Sequence, residues 1–309
     1  MSFKIKKILL AIRDVSAKKA IARAATIARK SNAQIELFSA VRPVSSLLGS
    51  KAQALRSSRT QVEERLARLE ALAQDLREEG LKVACKVELD YSGAEAILRR
   101  VQVAKPDLVI VEAHKHTLLS RLLLSQTDFE LVRNCAAPLL IIKAVAVSGR
   151  PAVLAALDPW HSSGKPAALD ARIAEVGHTV SRALGGKLHA AHVHTPLMRY
   201  ETDSIMAPVV VPVPVSEQKK HSVAVRQRFR AMARKFEIAP QNVHLRLGDP
   251  GIVLPELTRS LKVDTLVLGA VSRSALTRVL IGHTAERILD ATPCNLLIVK
   301  PKGFRPAKR

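Results

Sequence analysis

The sequence predicts an α/β protein in which one doubly wound domain, a five-stranded parallel sheet covered by helices, occurs twice in tandem. Three observations carry that prediction. Asp107 through Lys143 can be laid over Asp264 through Lys300 without a gap, and most non-identical positions exchange one aliphatic side chain for another. Internal repeats of this length are whole domains, since single cores grow to about 100–150 residues before chains divide. The length of 309 residues fits two such units. Finally, short continuous apolar runs alternate with segments of helical spacing, the pattern of a parallel sheet buried on both faces.

In the first half, Lys7–Ile12 is an apolar run that suits a buried strand, with Asp14 just beyond it. A helix is expected over Ala17–Lys30 and a second strand over Gln34–Val41, ended by Pro43. A looser stretch, Ser45–Ser50, leads to a long helix from Arg56 to Glu79, closed by Gly80. Then follow a strand at Leu81–Leu89, a helix at Gly93–Val103, a strand at Asp107–Glu112, a helix at Thr127–Asn134 and a fifth strand at Leu139–Lys143. The second half repeats the order. A strand at Ala152–Leu157 ends at Asp158, a helix spans Ala167–Leu184, and a strand covers Lys187–His194. Met198–Ser216 reads as a Pro-rich loop, Glu217–Phe236 as a helix, and Val243–Leu247 as a strand followed by Gly248-Asp-Pro. A helix to Leu261, a strand at Thr265–Gly269, a helix at Thr284–Ala291 and a strand at Asn295–Val299 complete it. Domains are therefore expected at 1–146 and 150–309, with the linker near Ala144–Pro151.

Composition narrows the function. No apolar run approaches the roughly 18–20 residues of a membrane-spanning helix, and the first residues read as a strand and not as a signal peptide. Three scattered cysteines, Cys85, Cys135 and Cys294, form no zinc spacing and suit a reducing, cytoplasmic setting. The net charge is +22, and it is spread evenly. Residues 1–150 carry 26 basic and 15 acidic side chains and residues 151–309 carry 23 and 12, so each half is +11. Weak attraction to polyanions follows. Aromatic residues make up only 3% of the chain and no nucleic-acid motif is present, so specific nucleic-acid recognition is not expected.

In doubly wound sheets, ligands bind beyond the carboxyl ends of the strands, where the strand order reverses. That singles out Asp14, Asp158, Val41, His194, Glu112 and Gly269. The segment Gly269 to Glu286 is the most informative. A glycine ends a buried strand, a loop holds Ser272 and Arg273, and Gly282-His283-Thr284 opens a helix. Glycines let a backbone approach a ligand, and free N–H groups at a helix start favour phosphate. A plain strand–loop–helix punctuated by glycine is the alternative. His192 and His194 share a strand face while His189 points away, so a metal site would need Asp158 or another group, and none is assigned. No nucleophile elbow, P-loop or full dinucleotide fingerprint occurs, and no catalytic residue is assigned.

At this point the chain resembles the universal stress protein family, in its tandem form. The resemblance rests on the duplication, Asp158 after a first strand, His192-Val193 at the end of a second, Gly248-Asp-Pro after a third, and Gly269 to Glu286. It implies Rossmann-like domains of strand order 3-2-1-4-5 that meet through their last strands, Leu139–Lys143 and Leu296–Val299, as a pseudo-dimer within one chain; a homodimer of whole chains is a second option. It also implies ATP with magnesium in the second domain, with Asp158 and Val193 at the adenine and Gly269, Ser272, Arg273, Gly282, His283 and Thr284 around ribose and phosphates. The ATP-binding pattern has a glycine where this chain has Ser272, and a serine or threonine where it has His283. In the first half Glu112, Lys115 and Ser125 replace the glycines, so that domain is expected not to bind ATP in this manner. The function implied is a cytoplasmic stress-response protein that binds or senses a ligand. A carrier or sensor of an apolar or anionic metabolite and a weak ATPase are the alternatives.

Overall fold

The computed structural model describes residues 3–13, 17–44, 50–113, 124–143, 151–160, 167–201, 209–270 and 283–306. The first half contains β1 (Lys7–Ala11), α1 (Lys18–Ser31), β2 (Gln34–Val41), α2 (Lys51–Glu78), β3 (Val83–Leu89), α3 (Gly93–Ala104), β4 (Leu108–Glu112), α4 (Gln126–Asn134) and β5 (Leu139–Ile142). The second contains β6 (Ala152–Ala156), α5 (Ala167–Ala183), β7 (Lys187–His194), β8 (Arg199–Glu201), β9 (Val209–Val211), α6 (Val215–Lys235), β10 (Val243–Leu247), α7 (Pro250–Ser260), β11 (Val263–Gly269), α8 (His283–Ala291) and β12 (Asn295–Val299).

Ten of these strands form one sheet in the order β10-β7-β6-β11-β12-β5-β4-β1-β2-β3. Within each half every pairing is parallel, and each half has the order 3-2-1-4-5. The halves join through their last strands, which run antiparallel with Leu296 opposite Ile141, Leu297 opposite Leu140 and Ile298 opposite Leu139. Each of these strands would be a bare edge in an isolated half, and their pairing satisfies both rows of backbone groups. Because the halves run oppositely, the carboxyl ends of their strands lie at opposite edges of the sheet.

The continuous apolar runs are strands because both faces are covered. One face packs against α1, α2, α5 and α6, the other against α3, α4, α7 and α8. Leu140, Ile141, Leu296 and Leu297 at the junction are fully buried or nearly so, and burying such a side chain contributes about 1.5–3 kcal/mol relative to exposure. Helix starts follow capping chemistry. The hydroxyls of Ser50, Ser92 and Ser125 accept backbone N–H groups of α2, α3 and α4, and Asp249 does so for α7. Gly80 closes α2 at φ 82°, a left-handed conformation that suits glycine.

Two expectations change. The long helix begins at Lys51 and not at Arg56, because Ser50 caps it a full turn earlier. The stretch read as a loop at Met198–Ser216 holds an antiparallel hairpin, with Arg199 opposite Val211 and Glu201 opposite Val209. Valines between prolines favour an extended backbone, and the prolines flank the paired residues instead of interrupting them.

The halves also meet through α1 and α5, and one buried ion pair crosses between them. Arg23 on α1 donates to both oxygens of Asp264, at 3.0 and 2.7 Å, with the two residues 8% and 1% exposed. Lys143 is buried at the junction and donates to the carbonyls of Leu289 and Thr292 at the end of α8.

Candidate functional site

The strand order reverses between β6 and β11 in the second half and between β1 and β4 in the first. In the second half, Asp158 stands two residues beyond β6. Its N–H donates to Asp170 Oδ1 at 3.1 Å, and its own Oδ1 accepts the Trp160 N–H at 3.1 Å. Asp170 lies in the first turn of α5 and is fully buried, so the turn after β6 is anchored on both sides and the Asp158 carboxyl is fixed at the crevice mouth.

Val193 lies on the neighbouring strand, half-buried against the apolar layer that includes Leu254 and Leu266. His192 and His194 project from the opposite face of β7. The His192 Nδ1 lies 3.0 Å from the Leu157 carbonyl, and the two imidazoles are 6.2 Å apart. Gly269 ends β11. A Cβ there would sit 2.8 Å from Leu169 Cδ2 and 2.9 Å from Ile173 Cδ1. This glycine therefore serves the close packing of α5 on the strand end. Ser272, Arg273 and Gly282 lie outside the described residues, while His283 and Thr284 form the first turn of α8. Asp158, Val193, Gly269 and the start of α8 thus share the carboxyl edge of the second half.

Among the described residues, no group of three or more His, Cys, Asp or Glu is placed to hold a metal ion. His189 faces His244 on β10, with Nδ1 and Nε2 3.0 Å apart and the rings stacked. Burial lowers both imidazole pKa values. Trp160, which is 42% exposed, stacks with His221 and lies under the Arg228 guanidinium at 4.4 Å. Sequence spacing gave no signal for either cluster, because each joins segments far apart in the chain. The thiols are inert. Burial pushes Cys85, Cys135 and Cys294 up to about 12.

The first half carries different chemistry at equivalent positions. Ile8 pairs with Leu108 as Val153 pairs with Thr265, and the repeat lays Leu108 over Thr265. Five residues further along each first strand, Arg13 therefore stands where the second half has Asp158. Along the gapless repeat, Glu112 replaces Gly269 and Asp128 replaces Ala285. Arg13 Nη1 lies 2.9 Å from Asp128 Oδ1, and Asp128 is fully buried. The other Asp128 oxygen accepts the N–H and hydroxyl of Ser125, closing a capping box at the start of α4. Glu112 accepts the Ala20 N–H at 3.4 Å. An internal carboxylate thus occupies the helix start that would otherwise attract a ligand anion. His114 and Lys115 lie outside the described residues.

Fold and site together define a duplicated, doubly wound α/β protein with two unlike crevices at opposite edges of one sheet. Residues 4–143 and again 151–300 match the model of the universal stress protein family. The chain belongs to that family. It is similar to Universal stress protein E of Salmonella typhi, 27% identical over 79% of this chain and 76% of that protein. It is likewise similar to Universal stress protein E of Escherichia coli, 27% identical over 73% of this chain and 71% of the relative. Among solved structures, a universal stress protein from Pseudomonas aeruginosa is 24% identical and superposes with a TM-score of 0.74, covering 96% of this chain and 94% of that one. One from Archaeoglobus fulgidus is 17% identical with a TM-score of 0.65, covering 96% and 98%.

Proposed function

We propose that the second half holds an adenine nucleotide with magnesium, and that the protein acts in the cytoplasm as a stress-response ligand sensor. The observation that carries this reading is the difference at one position. The second half keeps a carboxylate, Asp158, where the first half has an arginine already paired with Asp128. A fixed carboxyl at a switch point suits the amino edge of adenine, and Val193 offers an apolar contact beside it. The helix start at His283 and Thr284 supplies N–H groups suited to phosphate oxygens. When bound, the nucleotide contributes the anionic charge that this helix end favours.

The test is native mass spectrometry of the full chain with and without Mg-ATP, followed by titration of the single tryptophan, which lies two residues from Asp158. One nucleotide per chain, lost in Gly282→Val, supports the reading. Absence of binding at millimolar Mg-ATP overturns it. Hydrolysis that disappears in Gly282→Val would add slow ATPase turnover to the same site. A second reading, a carrier or sensor of an apolar or anionic metabolite, draws on a surface cavity of 420 Å³ lined by His194, Val215, Lys219, His221 and Leu247 among others. A co-purified adduct of non-nucleotide mass would favour it.

A further inference from the structure

The edge strand of the second half is held by a contact that the first half lacks. β3 and β10 are the two edges of the ten-stranded sheet. His244 on β10 lies opposite Ala191 of β7, as Lys86 on β3 lies opposite Phe38 of β2. Gln34 and Lys187 open β2 and β7, so His189 stands where the first half has Glu36. Glu36 is buried between Lys7 at 3.1 Å and Arg100 at 2.6 Å. Burial works against its charge, yet hydrogen bonds from Arg100 and Lys7 hold its carboxyl below the ordinary value. That place in the first half stays charged and paired across the neutral range. In the second half two imidazoles meet there instead. His189 Nδ1 and His244 Nε2 are 3.0 Å apart, with the ring planes within 9° of each other. One ring donates and the other accepts across such a contact, and only a neutral imidazole accepts. When both rings are protonated, two N–H donors and two positive charges face each other.

The surroundings make a second proton costly. Burial lowers both imidazole pKa values, Lys187 adds to this at His189, and His189 and Arg246 add to it at His244. Lys187 belongs to β7 and Arg246 to β10. β6, the other neighbour of β7, and the turn Pro240–Asn242 before β10 carry no charged side chain. His189 shares its strand face with Ala191, in the layer formed with Leu254 and Leu257 of α7. Glu256 and Arg259 of α7, and Lys262 beyond it, are exposed, and Arg259 donates to the Ala291 carbonyl. We infer that His189 and His244 form an acid-operated latch on β10: the neutral pair joins the edge strand to β7, and protonation of both rings drives the strand away. β10 runs into Gly248, whose N–H donates to the His194 carbonyl, and Asp249, which caps α7 and pairs with Arg287 of α8. Release of the strand therefore frees this corner and leaves β7 as the edge of the sheet. The direction follows from linkage. Both rings titrate below the ordinary 6.5 in the folded chain. The freed strand takes up protons that the closed one excludes, so the closed state is fully favoured above pH 6.5 and loses that advantage as pH falls below it.

The test is hydrogen–deuterium exchange of the full chain at about pH 7.5 and about pH 5.5, corrected for the intrinsic pH dependence of amide exchange. Linkage makes opening about tenfold more favourable per histidine for each pH unit below the unfolded value, until the folded-state value is reached. The β10 amides should therefore lose about tenfold in protection at the lower pH relative to those of β3, the equivalent edge strand, which contains no histidine. His189→Gln/His244→Gln keeps polar side chains that do not titrate in this range, and should bring the loss in β10 to within about twofold of that in β3. His189→Glu/His244→Lys writes the first half's residues into the second and should do the same, which covers the case in which glutamines disturb the packing. His194→Gln removes an imidazole from the far end and opposite face of β7, and should leave the acid response intact. Equal losses in β10 and β3 of the parent protein would make the effect general acid unfolding and overturn the latch. So would an acid response that survives in both pair variants, or imidazole resonances of His189 and His244 that titrate at or above the ordinary value.

Discussion

The two crevices share strand order, flanking helices and position at a switch point, yet their charges differ at equivalent places. The first half has Arg13, Glu112 and Asp128 where the second has Asp158, Gly269 and Ala285. In the first, cation and anion satisfy each other: Asp128 caps its helix, accepts from Ser125 and pairs with Arg13. In the second, the Asp158 N–H donates to Asp170 Oδ1 and its carboxylate accepts the Trp160 N–H, which holds the turn after β6. One fold thus carries different side-chain chemistry at the same three places of its two copies.

The strongest way to break this comparison is to write the first half's residue into the second. Asp158→Arg should lower Mg-ATP affinity at least about 100-fold, equivalent to about 2.8 kcal/mol. Calorimetric titration reads this directly, and unchanged affinity would move the nucleotide elsewhere. Next come Asp264 and Asp107, which the repeat makes equivalent. Asp264 is buried against Arg23, whereas Asp107 accepts the backbone N–H groups of Lys6 and Lys7 near the surface. Arg23→Ala leaves a buried carboxylate unpaired and should cost about 3–5 kcal/mol in urea unfolding. Asp107→Ala should cost about 1 kcal/mol, and equal costs would erase the distinction. Asp128→Ala should destabilise by roughly 2–3 kcal/mol, through loss of a cap and of the partner of Arg13. It should do so without changing nucleotide stoichiometry.

A further comparison within the repeat concerns the pair Lys143 and Lys300. Burial lowers both from 10.5 to about 8. Between those values the unfolded chain holds protons that the folded chain has released, so stability should rise as pH increases from 8 towards 10.5. Lys300→Met should flatten that rise. A urea midpoint that falls over the same range in the parent protein would contradict it.

The strands were legible because parallel strands buried on both faces leave continuous apolar runs, as at Leu108–Val111 and Leu296–Val299. The second crevice was legible in part, since Asp158 and Gly269 directly follow or end such runs. The Arg13 substitution was not. The gapless repeat covers only about the last quarter of each half, so nothing in the sequence aligned the first strands, and strand register was needed to set Arg13 against Asp158. The Arg23–Asp264 pair, 241 positions apart, and the His189–His244 stack have no local pattern, because their geometry exists only once the sheet has formed.

The antiparallel seam between β5 and β12 places the halves as two subunits related by a rotation would stand. In a dimer of identical chains that symmetry is a constraint on evolution, because every substitution is made twice and must be tolerated in both places. Fusing the copies lifts the constraint. Gln34 and Lys187 occupy equivalent places at the starts of β2 and β7, and eleven residues before them stand Arg23 and Val176. An arginine meets an aspartate on one side of the axis, and a valine is buried on the other. Covalent continuity lets the two copies differ at such places.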